Sequence, residues 1–172
     1  MGTAIPAITA TPVFVKPPPE LEELYNRYSG TVFQAAMRVA GNAADAEDVL
    51  QVVFLRMLNN RSMMSPADSL EKYFRRAAVN ASIDILRRKK WLSEVELDSG
   101  REYAGKESTA ILKERIRRSL AKLPTDDAEI FVLCYLEGYS YDELAEQFQV
   151  ERGTIGSRLH RIRAVLKKDL SR

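Results

Sequence analysis

Two predicted helices joined by a tight turn, between Ser140 and Lys168, constrain the fold of this 172-residue chain more than any other stretch. Ser140 is followed three residues later by Glu143, a capping-box pattern that predicts the start of a helix. In the second helix the apolar residues recur at intervals of three and four, which predicts one continuous buried face. These residues are Ile155, Leu159, Ile162 and Leu166.

The opposite face of the second helix is small and basic. At about 100° per residue, the residues pointing away from the apolar stripe are Gly153, Ser157, His160, Arg161 and Ala164. Small residues let a helix enter the major groove, and arginine can hydrogen-bond guanine or a phosphate. A solvated basic face without any ligand is the plain alternative. Because helix, turn and small basic face occur in helix-turn-helix order, we favour DNA binding.

Composition excludes several classes of site. The chain holds one cysteine, Cys134, and one histidine, His160, so it offers no internal disulfide, no cysteine or histidine metal cluster and no nucleophile–histidine pair. We expect no catalytic residue, no cofactor and no metal. Apolar runs long enough to cross a membrane and a secretory signal are both lacking, which predicts a cytoplasmic protein without membrane insertion.

Helical periodicity over nearly the whole chain predicts an all-α fold of two small helical domains joined by a flexible linker. Residues 1–19 form a proline-rich tail expected to be disordered. Residues 20–92 are predicted to form the first domain, residues 93–107 the linker, and residues 108–172 a four-helix domain that ends in the helix-turn-helix.

Two surfaces of the first domain suggest partners. Val52 and Leu55 are apolar residues on a side of the second helix that is expected to face solvent. This pattern indicates that a protein partner binds there or that a third helix of the same domain packs over them. The next helix mixes aromatic and basic residues, as surfaces that stack unpaired bases do. Phe74 is equally well interpreted as a core residue, and Tyr73 less so. The basic residues of this helix include Lys72, Arg75, Arg76, Arg87, Arg88, Lys89 and Lys90.

Three motifs together resemble a known family. LPTDDAEIFVLCYLEGYSYDELAEQF followed by GTIGSRLHRIRAVLKK resembles the C-terminal promoter-recognition domain of extracytoplasmic-function sigma factors. DAEDVLQVVFLR resembles their polymerase-binding helix, and LEKYFRRAAVNASIDILRR resembles the segment that opens and reads the minus-ten element. The resemblance covers about Glu20 to Asp169, with the motifs in the family's order on both sides of a linker.

The resemblance implies a role for three sets of residues. Those that would contact the minus-thirty-five element are Arg152, Thr154, Ser157, Arg158, His160 and Arg161. Those that would contact and melt the minus-ten element are Met63, Met64, Asp68, Ser69, Lys72, Tyr73, Arg76, Asn80, Arg87 and Arg88. Those that would bind polymerase are Asp48, Gln51, Val52, Leu55 and Arg56.

The chain departs from the family's pattern at four places. Val52 replaces an acidic residue, Tyr73 a tryptophan and Gly156 a lysine or arginine, while Met64-Ser65-Pro66 replaces Phe-Arg-Gly. We interpret these differences as altered specificity rather than lost function.

The resemblance therefore implies a dissociable sigma factor, not an enzyme, with core RNA polymerase and promoter DNA as partners and an anti-sigma factor as a further expected partner. The alternative is a helix-turn-helix regulator that binds duplex DNA by itself, with its N-terminal half as a dimerisation or sensor module.

Overall fold

The computed structural model describes residues 19–59, 70–96 and 109–171, and it confirms the all-α fold. Seven helices lie in these ranges: α1 Pro19–Ala40, α2 Ala43–Asn59, α3 Leu70–Glu96, α4 Thr109–Lys122, α5 Thr125–Tyr135, α6 Tyr141–Phe148 and α7 Arg152–Leu170. Within this described part of the chain, no helix combines the length and apolar character needed to cross a membrane.

Helices α1, α2 and α3, here called the N-terminal unit, pack around a small aromatic core. The ring of Phe74 stacks on Tyr28 at 4.8 Å and on Phe54 at 5.1 Å between centroids. Offset ring pairs of this kind add to the stabilisation from apolar burial. Since Phe74 is fully buried, it is a core residue and is not available to stack on a base.

The third helix is longer than its sequence pattern predicted. α3 runs without a break from Leu70 to Glu96, so the first four residues of the predicted linker, 93–96, are helical. The scattered apolar residues after Lys90 gave no reason to extend the helix. Residues 60–69 and 97–108 lie outside the described residues, as does most of the predicted tail.

Helices α4 to α7, here called the C-terminal unit, contain the predicted helix-turn-helix. The capping box of α6 is formed: the Glu143 backbone N–H donates to Ser140 Oγ at 3.2 Å, and the Ser140 backbone N–H donates to Glu143 Oε2 at 3.0 Å. α6 is followed by its C-cap residue Gln149, whose φ of 53° is left-handed and turns the chain toward α7. The predicted stripe of α7 is buried, as expected.

The two units share a hydrophobic cluster along α3. Val79, Ile83 and Leu86 extend from α3 into the same cluster as Leu120 and Leu123 of the C-terminal unit. α3 therefore buries two faces, one toward α1 and α2 and one toward α4 and α5. Each fully buried aliphatic side chain contributes roughly 1.5–3 kcal/mol relative to exposure, so this packing is a substantial contact between the units.

Two glycines of the N-terminal unit provide an internal comparison of backbone effects. Gly30 lies inside α1 with open space where a β-carbon would be added, whereas Gly41 has a φ of 80° and a β-carbon there would overlap the Arg117 guanidinium. Gly30→Ala should stabilise the protein by up to about 1 kcal/mol through helix propensity. Gly41→Ala should destabilise it by about 1 kcal/mol or more, because it forces a β-carbon into left-handed backbone and displaces Arg117.

Urea denaturation followed by circular dichroism measures both effects. The midpoint should rise for Gly30→Ala and fall for Gly41→Ala. A rise for both variants would contradict the position of Arg117 against the end of α1.

Candidate nucleic-acid and polymerase interfaces

The helix-turn-helix presents an open polar face on the first half of α7. Thr154, Ser157, His160 and Arg161 are all exposed, at the three- and four-residue spacing of one helix face. Ser157 Oγ donates to the Thr154 carbonyl at 3.0 Å, which ties that hydroxyl to its own helix. This face offers hydroxyl, imidazole and guanidinium groups, the donors that contact base edges and phosphates.

The two other predicted residues of this set differ in their surroundings. Arg152 is exposed, and its Nε lies 3.2 Å from Asp142 Oδ1 while its guanidinium lies 5.9 Å from the Tyr141 ring centre. Such an exposed ion pair contributes little stability, so Arg152 can exchange Asp142 for a phosphate at small cost.

Arg158 lies at the flank of the exposed face and is mostly buried. Its side chain is only 18% exposed and hydrogen-bonds Asp127 Oδ1 through Nε at 2.8 Å, with Asp126 3.9 Å away. Both aspartates belong to the first turn of α5. Arg158 therefore holds α7 against α5 rather than projecting from the exposed face, because two carboxylates neutralise its charge within the C-terminal unit.

The predicted polymerase surface lies on the outside of α2. Asp48, Gln51, Leu55 and Arg56 are exposed, and Leu55 retains 57% of its accessible surface. Val52 is half-buried against the core of the N-terminal unit. The core of the N-terminal unit thus covers Val52 in part and leaves Leu55 open, and a protein partner at Leu55 stays a prediction.

The predicted minus-ten residues divide into three groups. Met63, Met64, Asp68 and Ser69 lie outside the described residues. Arg88 is exposed near the end of α3, and Tyr73 is half-buried edge-on against Phe74, with 5.5 Å between ring centres. The remaining four face the C-terminal unit, and they are Lys72, Arg76, Asn80 and Arg87.

These four side chains are bound by groups of the C-terminal unit. Lys72 Nζ lies 3.2 Å from Glu143 Oε1, and Arg87 donates to the Leu123 carbonyl at 2.7 Å and to Thr125 Oγ1 at 2.6 Å. Arg76 and Asn80 both hydrogen-bond the Glu129 carboxylate. The structure therefore places all four residues along the contact with the C-terminal unit, where Lys72 and Arg76 still keep 47% and 39% of their side chains exposed.

The pKa values of two of the carboxylates that bind these side chains, Glu129 and Glu143, are shifted in opposite directions. Burial raises the pKa of Glu129, and the hydrogen bonds from Arg76 and Asn80 offset only part of that rise. The pKa of Glu143 is lowered to about 2, first by the backbone N–H of Ser140 and its hydroxyl and then by Lys72. Glu143 is consequently a charged partner for Lys72 at any physiological pH.

Sequence reasoning missed an ionic contact whose carboxylate is fully buried. Glu137, after the end of α5, has no exposed side-chain surface and pairs with Arg38 at 2.7 Å and Arg75 at 3.0 Å. Arg38 and Glu137 are 99 residues apart. A glutamate beside Gly138 looks like an ordinary solvated loop residue, and no local pattern signals its partners.

Comparison with known proteins agrees with this geometry. Residues 24–92 match the Sigma-70 region 2 family and residues 113–166 match the Sigma-70 region 4 family. These two ranges include α2 and all of the helix-turn-helix up to Leu166.

Several curated relatives of the chain are ECF RNA polymerase sigma factors. The chain is 33% identical over 137 residues to the ECF RNA polymerase sigma factor EcfG of Rhodopseudomonas palustris, covering 76% of this chain and 74% of that protein. It is 28% identical over 167 residues to SigW of Bacillus subtilis, covering 86% and 87%. It is 28% identical to SigE of Mycolicibacterium smegmatis over 90% of this chain, but it spans only 63% of that relative's length.

Two solved structures share the fold. One is the sigma factor RpoE in complex with the anti-sigma factor NepR from Bartonella quintana, with a TM-score of 0.51, 18% identity and coverage of 88% of this chain and 97% of that one. The other is CnrH in complex with the cytosolic domain of CnrY, with a TM-score of 0.51, 23% identity and coverage of 88% and 87%. From the two matched regions in one chain and the 33% identity to a relative covered over 74% of its length, the chain belongs to the extracytoplasmic-function (ECF) sigma factors of bacterial RNA polymerase.

Proposed function

We propose that this chain is a dissociable sigma factor that binds core RNA polymerase, directs it to specific promoters and helps to open the DNA. The observation that carries the proposal is the presence of region 2 and region 4 in one chain and in that order, at residues 24–92 and 113–166. It acts as a transcription initiation factor and not as an enzyme; RNA synthesis belongs to the polymerase.

Each surface has a role in this proposal. The exposed side of α2, around Leu55, docks on the polymerase. The exposed face of α7, around Arg161, enters the major groove at the minus-thirty-five element. α3 and the residues before it contact and open the minus-ten element. Once polymerase holds both units, the second DNA contact becomes effectively intramolecular, so two modest contacts together give specific binding.

An anti-sigma factor is the third proposed partner. One protein of the same fold was solved in complex with the anti-sigma factor NepR, and another in complex with the cytosolic domain of CnrY. In this chain an open apolar groove of about 360 Å³ lies between α4, α5 and α7, lined by Ile116, Phe131, Leu166 and Leu170, with Arg163 and Lys167 at its edge. A groove of this composition suits an amphipathic helix with acidic flanks.

Transcription in vitro tests the main proposal. Core RNA polymerase with this protein should produce discrete transcripts from a library of bacterial promoter fragments, and core polymerase alone should not. Leu55→Asp should weaken binding to core polymerase at least about tenfold, since a buried carboxylate replaces an apolar contact. Leu92→Asp is the matched control, because Leu92 is as exposed, at 53%, but lies at the far end of α3.

The alternative function, a helix-turn-helix regulator that binds duplex DNA by itself, predicts different results in these experiments. Tight duplex binding without polymerase, with a palindromic footprint and no effect on transcript start sites, would contradict the sigma-factor proposal. Equal loss for Leu55→Asp and Leu92→Asp would contradict the position of the polymerase surface.

The α7 face is tested by Arg161→Ala in the holoenzyme. Loss of one base or phosphate contact should weaken binding to upstream promoter duplex by about 1–3 kcal/mol. Arg163→Ala is the control, because Arg163 lies on the same helix but faces the apolar groove. Unchanged affinity for Arg161→Ala at near-physiological salt would mean that the recognition face is misassigned.

The proposed anti-sigma contact is tested by purifying the tagged protein from its own cells. We expect a second polypeptide that inhibits transcription when added back to the holoenzyme and that fails to bind Leu170→Asp. Retained binding and inhibition with Leu170→Asp would place the partner elsewhere, and no inhibitory polypeptide would contradict the proposal.

A further inference from the structure

A small cleft lies where the turn between α1 and α2, the second half of α3 and the middle of α4 meet. It is partly enclosed, with a volume of about 200 Å³, and the buried side chains of Ala40 and Leu86 belong to its wall. The described residues that line it include none of those assigned above to DNA, to the polymerase or to the anti-sigma factor. The cleft is therefore a feature that the proposed function does not use.

The charged side chains of this cleft are mostly cationic. Among the described residues they are Lys89, Lys90, Arg117 and Arg118, opposed by the two carboxylates of Asp45 and Glu114. Since the whole chain has a net charge of +2, this one cleft holds as large an excess of positive charge as the entire protein. A cleft with one dominant sign of charge and walls of low dielectric constant focuses its electric field and concentrates counter-ions.

One of the two carboxylates, Asp45, is compensated inside the protein. Lys89 Nζ lies 2.6 Å from Asp45 Oδ2, and the Asn42 side-chain amide donates to the same oxygen at 2.6 Å. Burial raises the pKa of Asp45, but the hydrogen bonds from Lys89 and Asn42 outweigh it, so that the pKa is lowered. Asp45 thus stays charged and neutralises Lys89, and the excess of positive charge belongs to the other three cations of the cleft.

Arg117 is held in place by the backbone of the α1–α2 turn. Its Nε donates to the Val39 carbonyl at 3.0 Å, and its guanidinium occupies the space that a β-carbon of Gly41 would need. Glu114 Oε2 lies 3.9 Å from Arg117 Nη1, which is too far for a hydrogen bond. A guanidinium fixed in this way loses little freedom when it binds an anion, because its fork of donors is already oriented.

Arg118 and Glu114 form an ion pair at the rim of the cleft. Arg118 Nε lies 3.2 Å from Glu114 Oε1, and the two side chains are 61% and 52% exposed. An exposed pair of this kind contributes little stability, so Arg118 can leave Glu114 for another acceptor at small cost. Phosphate is such an acceptor, because it takes two parallel N–H donors from one guanidinium. Two consecutive arginines of α4 are thus available to one phosphorylated ligand.

We propose that this cleft binds a diphosphate group, with Arg117 and Arg118 of α4 donating to its oxygens and Lys90 of α3 supplying further positive charge. A volume of 200 Å³ corresponds to about seven water molecules, which suits two linked phosphates and leaves an attached nucleoside in solvent. Free diphosphate and the diphosphate of a nucleotide share this chemistry. The site does not depend on the sigma-factor proposal, and because both units line it, a bound diphosphate links α3 to α4.

Isothermal titration calorimetry of the full chain tests the site, at one fixed salt concentration because salt screens charges. The ligands are sodium pyrophosphate, orthophosphate, ADP and GDP, each titrated separately. Pyrophosphate should bind in equimolar ratio and at least about tenfold more tightly than orthophosphate, since the second phosphate engages the second arginine. The melting temperature should also rise in pyrophosphate, because a ligand that binds only the folded protein stabilises it.

Two substitutions at the rim should change the pyrophosphate affinity in opposite directions. Arg118→Gln should weaken binding at least about tenfold, because a charge-assisted hydrogen bond is lost. Glu114→Gln should tighten it about threefold or more, because the carboxylate that competes for Arg118 is removed. Lys113→Gln and Glu47→Gln are the matched controls, since they remove the same charges from exposed positions that do not line the cleft. Both controls should bind within about twofold of the unaltered chain.

Several results would overturn the diphosphate site. They are no saturable binding of pyrophosphate up to about 1 mM, equal affinity for orthophosphate, equal losses for Arg118→Gln and Lys113→Gln, or weaker binding by Glu114→Gln. Displacement of pyrophosphate by a short DNA duplex whose own binding falls with Arg118→Gln would also overturn it, because the cleft would then belong to a DNA surface.

The nucleotides distinguish the two sources of the diphosphate group. Equal affinity for pyrophosphate, ADP and GDP would uphold the site with the diphosphate alone as its ligand. Tighter binding of ADP or GDP would uphold it with a nucleotide as its ligand, whose nucleoside then makes contacts outside the cleft.

Discussion

The burial of Glu137 between Arg38 and Arg75 is the contact on which the arrangement of the two units depends. It joins the segment after α5 to α1 and α3 at once, and it removes the carboxylate from water. Burial disfavours the charged Arg75 guanidinium, but the hydrogen bonds from Glu137 and Glu71 outweigh it, so the pKa of Arg75 is raised above its usual value. The group stays charged, and the buried carboxylate stays compensated.

Helix α3 belongs to the packing of both units. One face completes the aromatic core of the N-terminal unit around Phe74, and the opposite face meets α4 and α5 through Val79 and Ile83. Between these apolar faces lie the basic residues of the helix. Glutamates of the C-terminal unit bind three of these basic residues, Lys72, Arg75 and Arg76.

Much of the fold and part of the site were predictable because they rest on local periodicity. The capping box of α6 and the stripe of α7 follow from residues at most four positions apart, as does the exposure of His160 and Arg161. Arg158 was not predictable in this way, since its partners in α5 lie about thirty residues earlier. Glu137 carries no local signal at all, and Val79 and Ile83 fall outside the stripe that faces α1 and α2.

The amino-acid sequence alone was enough to specify the helices, their buried faces, the helix-turn-helix and the family, because propensity, capping and side-chain spacing act over a few residues and motifs are read directly. Which charged residues are available for binding was settled by tertiary packing. Whether an arginine faces solvent or a carboxylate depends on contacts between residues far apart in the chain. These segments are brought together by the packing of the two apolar faces of α3 against the helices of both units.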